Sequence, residues 1–114
     1  MSPPANDILR GTLDLLVLKS LSWGPAHGYG VARWIQFATG DVLQVGEGTL
    51  YPALYRLEDR GWIEASWGAS ENNRKAKFYA LTPRGRKQLA TESASWARYA
   101  QAIFAALEAP ALPA

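Results

Sequence analysis

Residues 46–61 read GEGTLYPALYRLEDRG, from Gly46 to Gly61, and the conformation of this stretch decides how the rest of the chain is arranged. Wound as a helix, it places Leu50, Leu54 and Leu57 at i, i+4 and i+7, on one face. Gly48, Pro52, Tyr55 and Asp59 then project the opposite way, with Tyr51 and Arg56 on the flanks. Gly61 stands where such a helix stops, because glycine enters the left-handed region without a Cβ penalty. The leucine face is for burial. The other face carries tyrosines, a proline and an arginine where a solvated helix would show Lys and Glu. On a firmly anchored helix, such groups suit phosphates and base edges. Taken alone, these residues equally fit an ordinary amphipathic helix with surface aromatics.

Downstream the period changes. Trp62–Trp67 and Ala76–Leu81 are short, aromatic and β-branched, as strands are. Residues 68–75 between them are rich in turn formers and predict a hairpin with a polar, basic tip. Thr82-Pro83 is an N-cap followed by proline at the first helical position. Upstream, a helix is predicted over about Ile8–Leu21, apolar nearly all round through Leu9, Leu13, Leu16 and their neighbours, so a second chain is expected on its outer side. Ser22-Trp23-Gly24-Pro25 breaks it. A second helix runs from about His27 to Ala38 with Val31, Ile35 and Ala38 as its inner stripe, and the single histidine is expected to cap or pack. A connection of about seven residues then leads back to the opening stretch. Helix, helix, helix, hairpin is the winged helix-turn-helix order: mainly α with a small β-hairpin.

From Pro83 to Leu107 no breaker follows Gly85, so about 25 residues extend about 37 Å. That overhangs a body whose radius of gyration is about 12 Å. Leu89, Ser93, Trp96, Ala100, Ile103 and Leu107 alternate by four and three in a heptad-like seam. Such a seam either folds back on its own domain or meets a partner; the economical expectation is a C2 homodimer built on the last helix and the first, through Leu9, Leu13, Leu16, Leu89, Trp96, Ala100, Ile103 and Leu107. Residues 1–82 are therefore expected to form the winged helix-turn-helix body. Residues 83–114 would form the dimerisation helix and a frayed tail.

The chain has 114 residues, 48% of them hydrophobic and 19% charged, which describes one folded domain. Net charge is only +2. Its distribution says more: Arg74, Lys75, Lys77, Arg84, Arg86 and Lys87 lie between Asn72 and Gln88 with no acid among them. There is no cysteine, hence no disulfide or thiolate metal site. No apolar run approaches the roughly 20 residues that span a bilayer. The first residues lack the pattern of a signal peptide, so the cytoplasm is expected. One histidine and no cysteine remove most catalytic triads and the common zinc sites, and no phosphate-binding glycine motif is present. Glu58 and Asp59 are neighbours and diverge by about 100° on a helix, so they cannot share a substrate. An enzyme is not expected, nor a cofactor or metal. Two rivals remain: a winged-helix protein-interaction module, for which the wing should be neutral or acidic, and an unregulated architectural DNA binder.

Three blocks together carry a family resemblance: ILRGTLDLLVLKSLSWGPAHGYGVARWIQ, EGTLYPALYRLEDRGWI and ENNRKAKFYALTPRGRKQL. From about Ile8 to Trp96 the chain closely resembles the PadR family of bacterial transcription regulators. The resemblance implies a winged-helix dimer on double-stranded DNA with a carboxy-terminal dimerisation helix, in the smaller of the family's two size classes. It also implies repressor action, relieved in some members by a small molecule. Thr49, Tyr51, Pro52, Tyr55 and Arg56 match the reading helix: proline and tyrosine for thymine methyls, Thr49 and Arg56 for hydrogen bonds. Tyr29, in the HGYG block, would reach a phosphate. Asn72, Asn73, Arg74, Lys75 and Lys77 match the wing, and Tyr79 a position facing the DNA backbone. Many relatives carry serine or a similar cap where this chain has Gly46. Larger relatives bind drug-like aromatics between their dimer helices; by that resemblance Trp96 and Tyr99 are candidates for a small aromatic effector, the alternative being that Trp96 simply fills the interface.

Overall fold

The computed structural model describes the backbone of residues 5–69 and 72–113, and side chains within those ranges from Thr12 onward. In order, the elements are α1 (Ala5–Ser20), a 3-10 turn (Leu21–Trp23), β1 (Ala26–His27), α2 (Gly28–Ala38), α3 (Glu47–Asp59), β2 (Ile63–Ala69), β3 (Lys75–Leu81) and α4 (Pro83–Glu108). This is a mainly helical winged helix-turn-helix with a long last helix, as the sequence order predicts.

The core forms where apolar faces converge. Leu13, Val17 and Leu18 of α1 meet Val31 and Ile35 of α2, Leu50, Leu54 and Leu57 of α3, and Ile63, Tyr79 and Leu81 of the sheet. All three leucines expected to anchor α3 are buried. Its carboxy end closes as a Schellman motif: Gly61 N–H donates to the Glu58 carbonyl at 2.9 Å and Trp62 N–H to the Leu57 carbonyl at 3.0 Å. Gly61 takes φ 75°, which makes glycine the fitting residue there.

Several boundaries differ from expectation. α1 stops at Ser20, whose hydroxyl donates back to the Val17 carbonyl at 2.7 Å, and Leu21 belongs to the tighter turn that follows. The sheet has three strands, in the order β1-β3-β2, all antiparallel. A two-residue strand has no alternation to betray it, so β1 was not expected. The hairpin ladder also runs further than predicted, through Gly68 opposite Ala76 and Ala69 opposite Lys75. Glycine fits at 68 because a Cβ there would lie 3.2 Å from the Phe78 ring. Ala38 is exposed, since α2 runs past the core by its last turn.

His27 links sheet to helix. Its backbone pairs with Phe78, and its Nδ1 accepts from Gly30 N–H at 3.0 Å as the N-cap of α2. Thr82 performs the same service for α4: its hydroxyl accepts from Gly85 N–H at 3.0 Å and donates to the Gly61 carbonyl at 2.6 Å. A Cβ on Gly85 would collide with the Trp62 carbonyl, so glycine lets α4 press onto the start of β2.

The 26 residues of α4 span about 39 Å. They draw the molecule out to 67 × 32 × 21 Å. Its radius of gyration is 16.6 Å, against about 13 Å for a compact chain of this length. Leu13 corrects one expectation about assembly. It is only 1% exposed within a single chain and has no surface left for a partner. Leu16 and Leu89 are half-buried against the same core. The side chain of Leu9 lies outside the described residues.

Candidate nucleic-acid interface

One face of the body gathers most of the expected DNA-facing residues. α3 supplies it from the side opposite its leucines, where Pro52 and Tyr55 are exposed. Pro52 removes the donor that would have met the Gly48 carbonyl, a gap tolerable because both residues face outward. α2 adds Tyr29, exposed, with the Arg33 guanidinium 5.9 Å from its ring centroid. The wing adds Asn72, Asn73, Arg74 and Lys75, all exposed, with Asn73 at φ 57° to turn the tip. The Lys75 ammonium lies 5.1 Å from the Trp67 ring centroid.

Between α2, α3 and the wing runs a groove of about 890 Å³. Tyr51 and Tyr55 line one side, Tyr29, Arg33 and Phe37 another, and Trp67, Lys75 and Lys77 the third. A second hollow of about 620 Å³ continues from it along α2 to the amino end of α3, at Gly46 and Glu47. Aromatic faces beside cations suit a strand of nucleic acid, offering apolar contact and charge together. Arg33, Trp34, Phe37 and Trp67 were not singled out from the sequence. Tyr29, Arg33 and Phe37 recur every four residues opposite Val31 and Ile35, and that stripe was the available signal.

Other expected residues have partners or cover that the sequence does not display. Arg56 keeps part of its guanidinium exposed, its side chain being 36% accessible, but it is also tied inward. Its Nη2 donates to Asp14 Oδ1 at 2.7 Å, tying α3 to α1. Tyr79 corrects a second expectation. At 2% exposed it belongs to the core and the floor of the groove, and offers no ring to the DNA backbone. Burial pushes its phenol above the ordinary value of 10.0, helped by the Glu58 carboxylate and by the Tyr55 and Tyr51 phenols, so the hydroxyl stays protonated. Thr49 and Tyr51 are half-buried on the flanks of α3. The Tyr51 ring packs on the start of α2, where a Cβ on Gly28 would come within 2.9 Å of its hydroxyl. Lys77 turns away from the wing tip toward α3, 3.8 Å from Glu58 Oε1.

On α4, Trp96 and Tyr99 meet edge to face with centroids 5.5 Å apart. Trp96 and Ala100 are half-buried, while Tyr99, Ile103, Phe104 and Leu107 are exposed. Neither member of the aromatic pair lines either hollow. Among the described residues there is no cluster of potential metal ligands, and no helix is long and apolar enough to cross a membrane.

Residues 17–91 match the family described as the transcriptional regulator PadR-like family. The chain belongs to the PadR-like family. An uncharacterized protein of Lysinibacillus sphaericus is 33% identical over 98 residues, covering 86% of this chain and 90% of that one. A transcriptional regulator from Clostridium thermocellum superposes with TM-score 0.77 at 31% identity, over 85% of this chain and 94% of its own. A PadR-like transcriptional regulator from Bacillus cereus superposes with TM-score 0.79 at 27% identity, over 91% and 99%. This PadR-like protein is therefore a DNA-binding transcription regulator and not an enzyme.

Proposed function

We propose that this PadR-like regulator acts in the cytoplasm as a homodimeric repressor on an inverted-repeat operator. Residues 1–82 would serve as the DNA-binding body and residues 83–114 as the assembly element. The observation that carries this reading is the continuous aromatic and basic face formed by α2, α3 and the wing. On that face, α3 enters the major groove with Thr49, Pro52 and Tyr55 toward the bases. Arg74 and Lys75 follow the wing to the adjacent minor groove or its phosphates. The sugar–phosphate strand between the two grooves lies along the 890 Å³ hollow, with Tyr29 and Arg33 on its far wall. A basic wing also weighs against a protein-interaction module, for which no charge of this sign is needed.

Assembly rests on α4. Tyr99, Ile103, Phe104 and Leu107 present an apolar surface that a second α4 can cover, with Trp96 and Ala100 nearer the body. Two-fold symmetry then sets the reading helices about 34 Å apart, one turn of DNA. The half-sites should be inverted and spaced accordingly.

The test is selection of bound DNA from a random pool, with sedimentation of the free protein and a salt series on the selected sequence. An inverted repeat bound by a dimer is the expected result. Pools enriched for no sequence, or for a single half-site bound by monomer, would overturn the reading. Repression follows if a promoter overlapping the selected site is silenced by the protein in a reporter strain. Adding planar aromatics to the same binding assay reports on an effector at Trp96 and Tyr99, seen as release that Trp96→Leu abolishes.

A further inference from the structure

An acid on a DNA-facing surface is unexpected, because it repels phosphates and weakens any cation beside it. Glu58 lies at the border of the proposed face, beside Lys77 of the groove wall. It sits on the last turn of α3, and its Oε1 lies 3.8 Å from Lys77 Nζ on β3. The same ammonium lies 5.9 Å from the Tyr55 ring centroid and 5.6 Å from that of Tyr79. Lys77 is thus held among a carboxylate and a ring of the reading helix and a ring of its own strand. Arg74 and Lys75, by contrast, stand exposed toward the tip of the wing.

We infer that Glu58 is a positioning residue that acts through Lys77, fixing the wing against the carboxy end of the reading helix and so sharpening operator preference. This rests on the proposal that the face binds DNA. The two side chains are 36% and 35% exposed, so their pair contributes little to overall stability. Its leverage is local. The hairpin is fastened at its base, where Thr82 bonds to Gly61 and β3 pairs with β1. Toward the tip, the Lys77 contacts are ones that join the hairpin directly to α3. A small change in that angle shifts Arg74 and Lys75 relative to Pro52 and Tyr55. Operator DNA requires both sets at once, whereas random DNA requires only the charges.

The experiment measures binding to the selected operator and to a shuffled duplex for wild type, Glu58→Gln, Lys77→Met and the double variant. Thermal unfolding of each serves as the control for folding. Glu58→Gln should lower the preference for operator over shuffled DNA by about threefold with shuffled binding unchanged or raised, the range of an exposed ion pair. In the Lys77→Met background the same substitution should cause no further loss of preference. An equal loss in both backgrounds would mean that Glu58 acts without Lys77, and would overturn the inference. Equal strengthening on both DNAs, or no change, would do so too, leaving Glu58 as a mere repulsive charge or a bystander. Absence of any preference in the wild type would instead sink the DNA reading itself, which separates the two failures.

Discussion

The helix α3 and the far half of α4 are built from the same kind of sequence and stand in opposite surroundings. In α3, Leu50, Leu54 and Leu57 are covered completely by α1, α2 and the sheet. In α4, Ile103 is 43% and Leu107 76% exposed, with Tyr99 and Phe104 uncovered beside them. Both helices carry apolar residues at helical spacing. The first has its complement within one chain, and the second has run beyond it. Hydrophobic periodicity therefore predicts burial, but not which chain supplies the cover. An uncovered stripe of this kind on a helix of 26 residues is what an obligate partner would remove from water.

The comparison can be sharpened by truncating leucine in each region. Leu54→Ala leaves a cavity in the shared core and should cost about 2–5 kcal/mol. In a domain of this size that lowers the unfolding midpoint by roughly 10 °C or more. The loss should not depend on protein concentration. Leu107→Ala should instead produce a smaller loss that grows as the protein is diluted, since it weakens association. Thermal scans of both variants over a wide concentration range decide the matter. Identical concentration dependence would erase the distinction between core and interface.

A stronger assault on the overhang comes next in size. Ile103→Glu with Leu107→Glu puts two like-charged residues on each facing helix while leaving the body's core untouched. We expect a folded monomer whose operator affinity falls about 100-fold or more, because the second half-site no longer adds its avidity. Far-UV spectra and sedimentation establish fold and mass together. A charged variant that remains a dimer and holds its operator would place the interface elsewhere.

Much of this organisation was legible in the residues. The leucine spacing of α3, the Thr82-Pro83 start of α4 and the capping glycine at 61 each have a local cause that sequence displays directly. What escaped depends on contacts between distant segments. β1 exists only because β3 lies beside it, and two residues cannot announce a strand. The tie from Arg56 to Asp14, 42 positions earlier, could not be read from either segment alone. Leu13 looked like interface because α1 is apolar nearly all round, yet the core of one chain already encloses it. Tyr79 followed the pattern of the wing, while its strand alternation turned it inward. Gly85 seemed only a weak point in a helix. Its missing side chain is what lets α4 dock on Trp62.

Within the body, the division between reading and anchoring residues predicts a third and smaller set of effects. Tyr55→Ala should cost about 1–3 kcal/mol on the operator and much less on random DNA, as removal of a good base-reading side chain does. Arg74→Ala and Lys75→Ala should weaken both DNAs alike and flatten the salt dependence by about 0.9 for each phosphate no longer neutralised. Arg56→Ala belongs to neither class. Its bond to Asp14 makes it a tie between helices, so the midpoint of unfolding should fall with the operator preference retained. Loss of preference in Arg56→Ala without loss of stability would return that residue to the reading face.

The smallest predicted change tests the amino end of the reading helix. Gly46 is its N-cap, with φ −82° and ψ 164°, and no side chain satisfies the first-turn amides. That conformation lies in the extended region, which serine adopts without strain. A Cβ at this position would meet nothing within 4 Å. Gly46→Ser can therefore add a hydroxyl acceptor for the N–H of the second or third residue of the helix, satisfying one donor that now has no side-chain partner. The gain of serine over glycine at an N-cap is only about a few tenths of a kcal/mol. In a domain of this size that raises the midpoint by about 1–2 °C. Calorimetry at fixed protein concentration resolves such a shift, and the sedimenting mass should be unchanged. Because the effect acts on α3 and not on the overhang, it should persist undiminished in the Ile103→Glu, Leu107→Glu monomer. A fall in the midpoint would mean that position 46 is constrained by a contact glycine alone permits. A gain confined to the dimer would mean that the reading helix and the assembly helix are coupled, and that the two regions do not separate as their burial indicates.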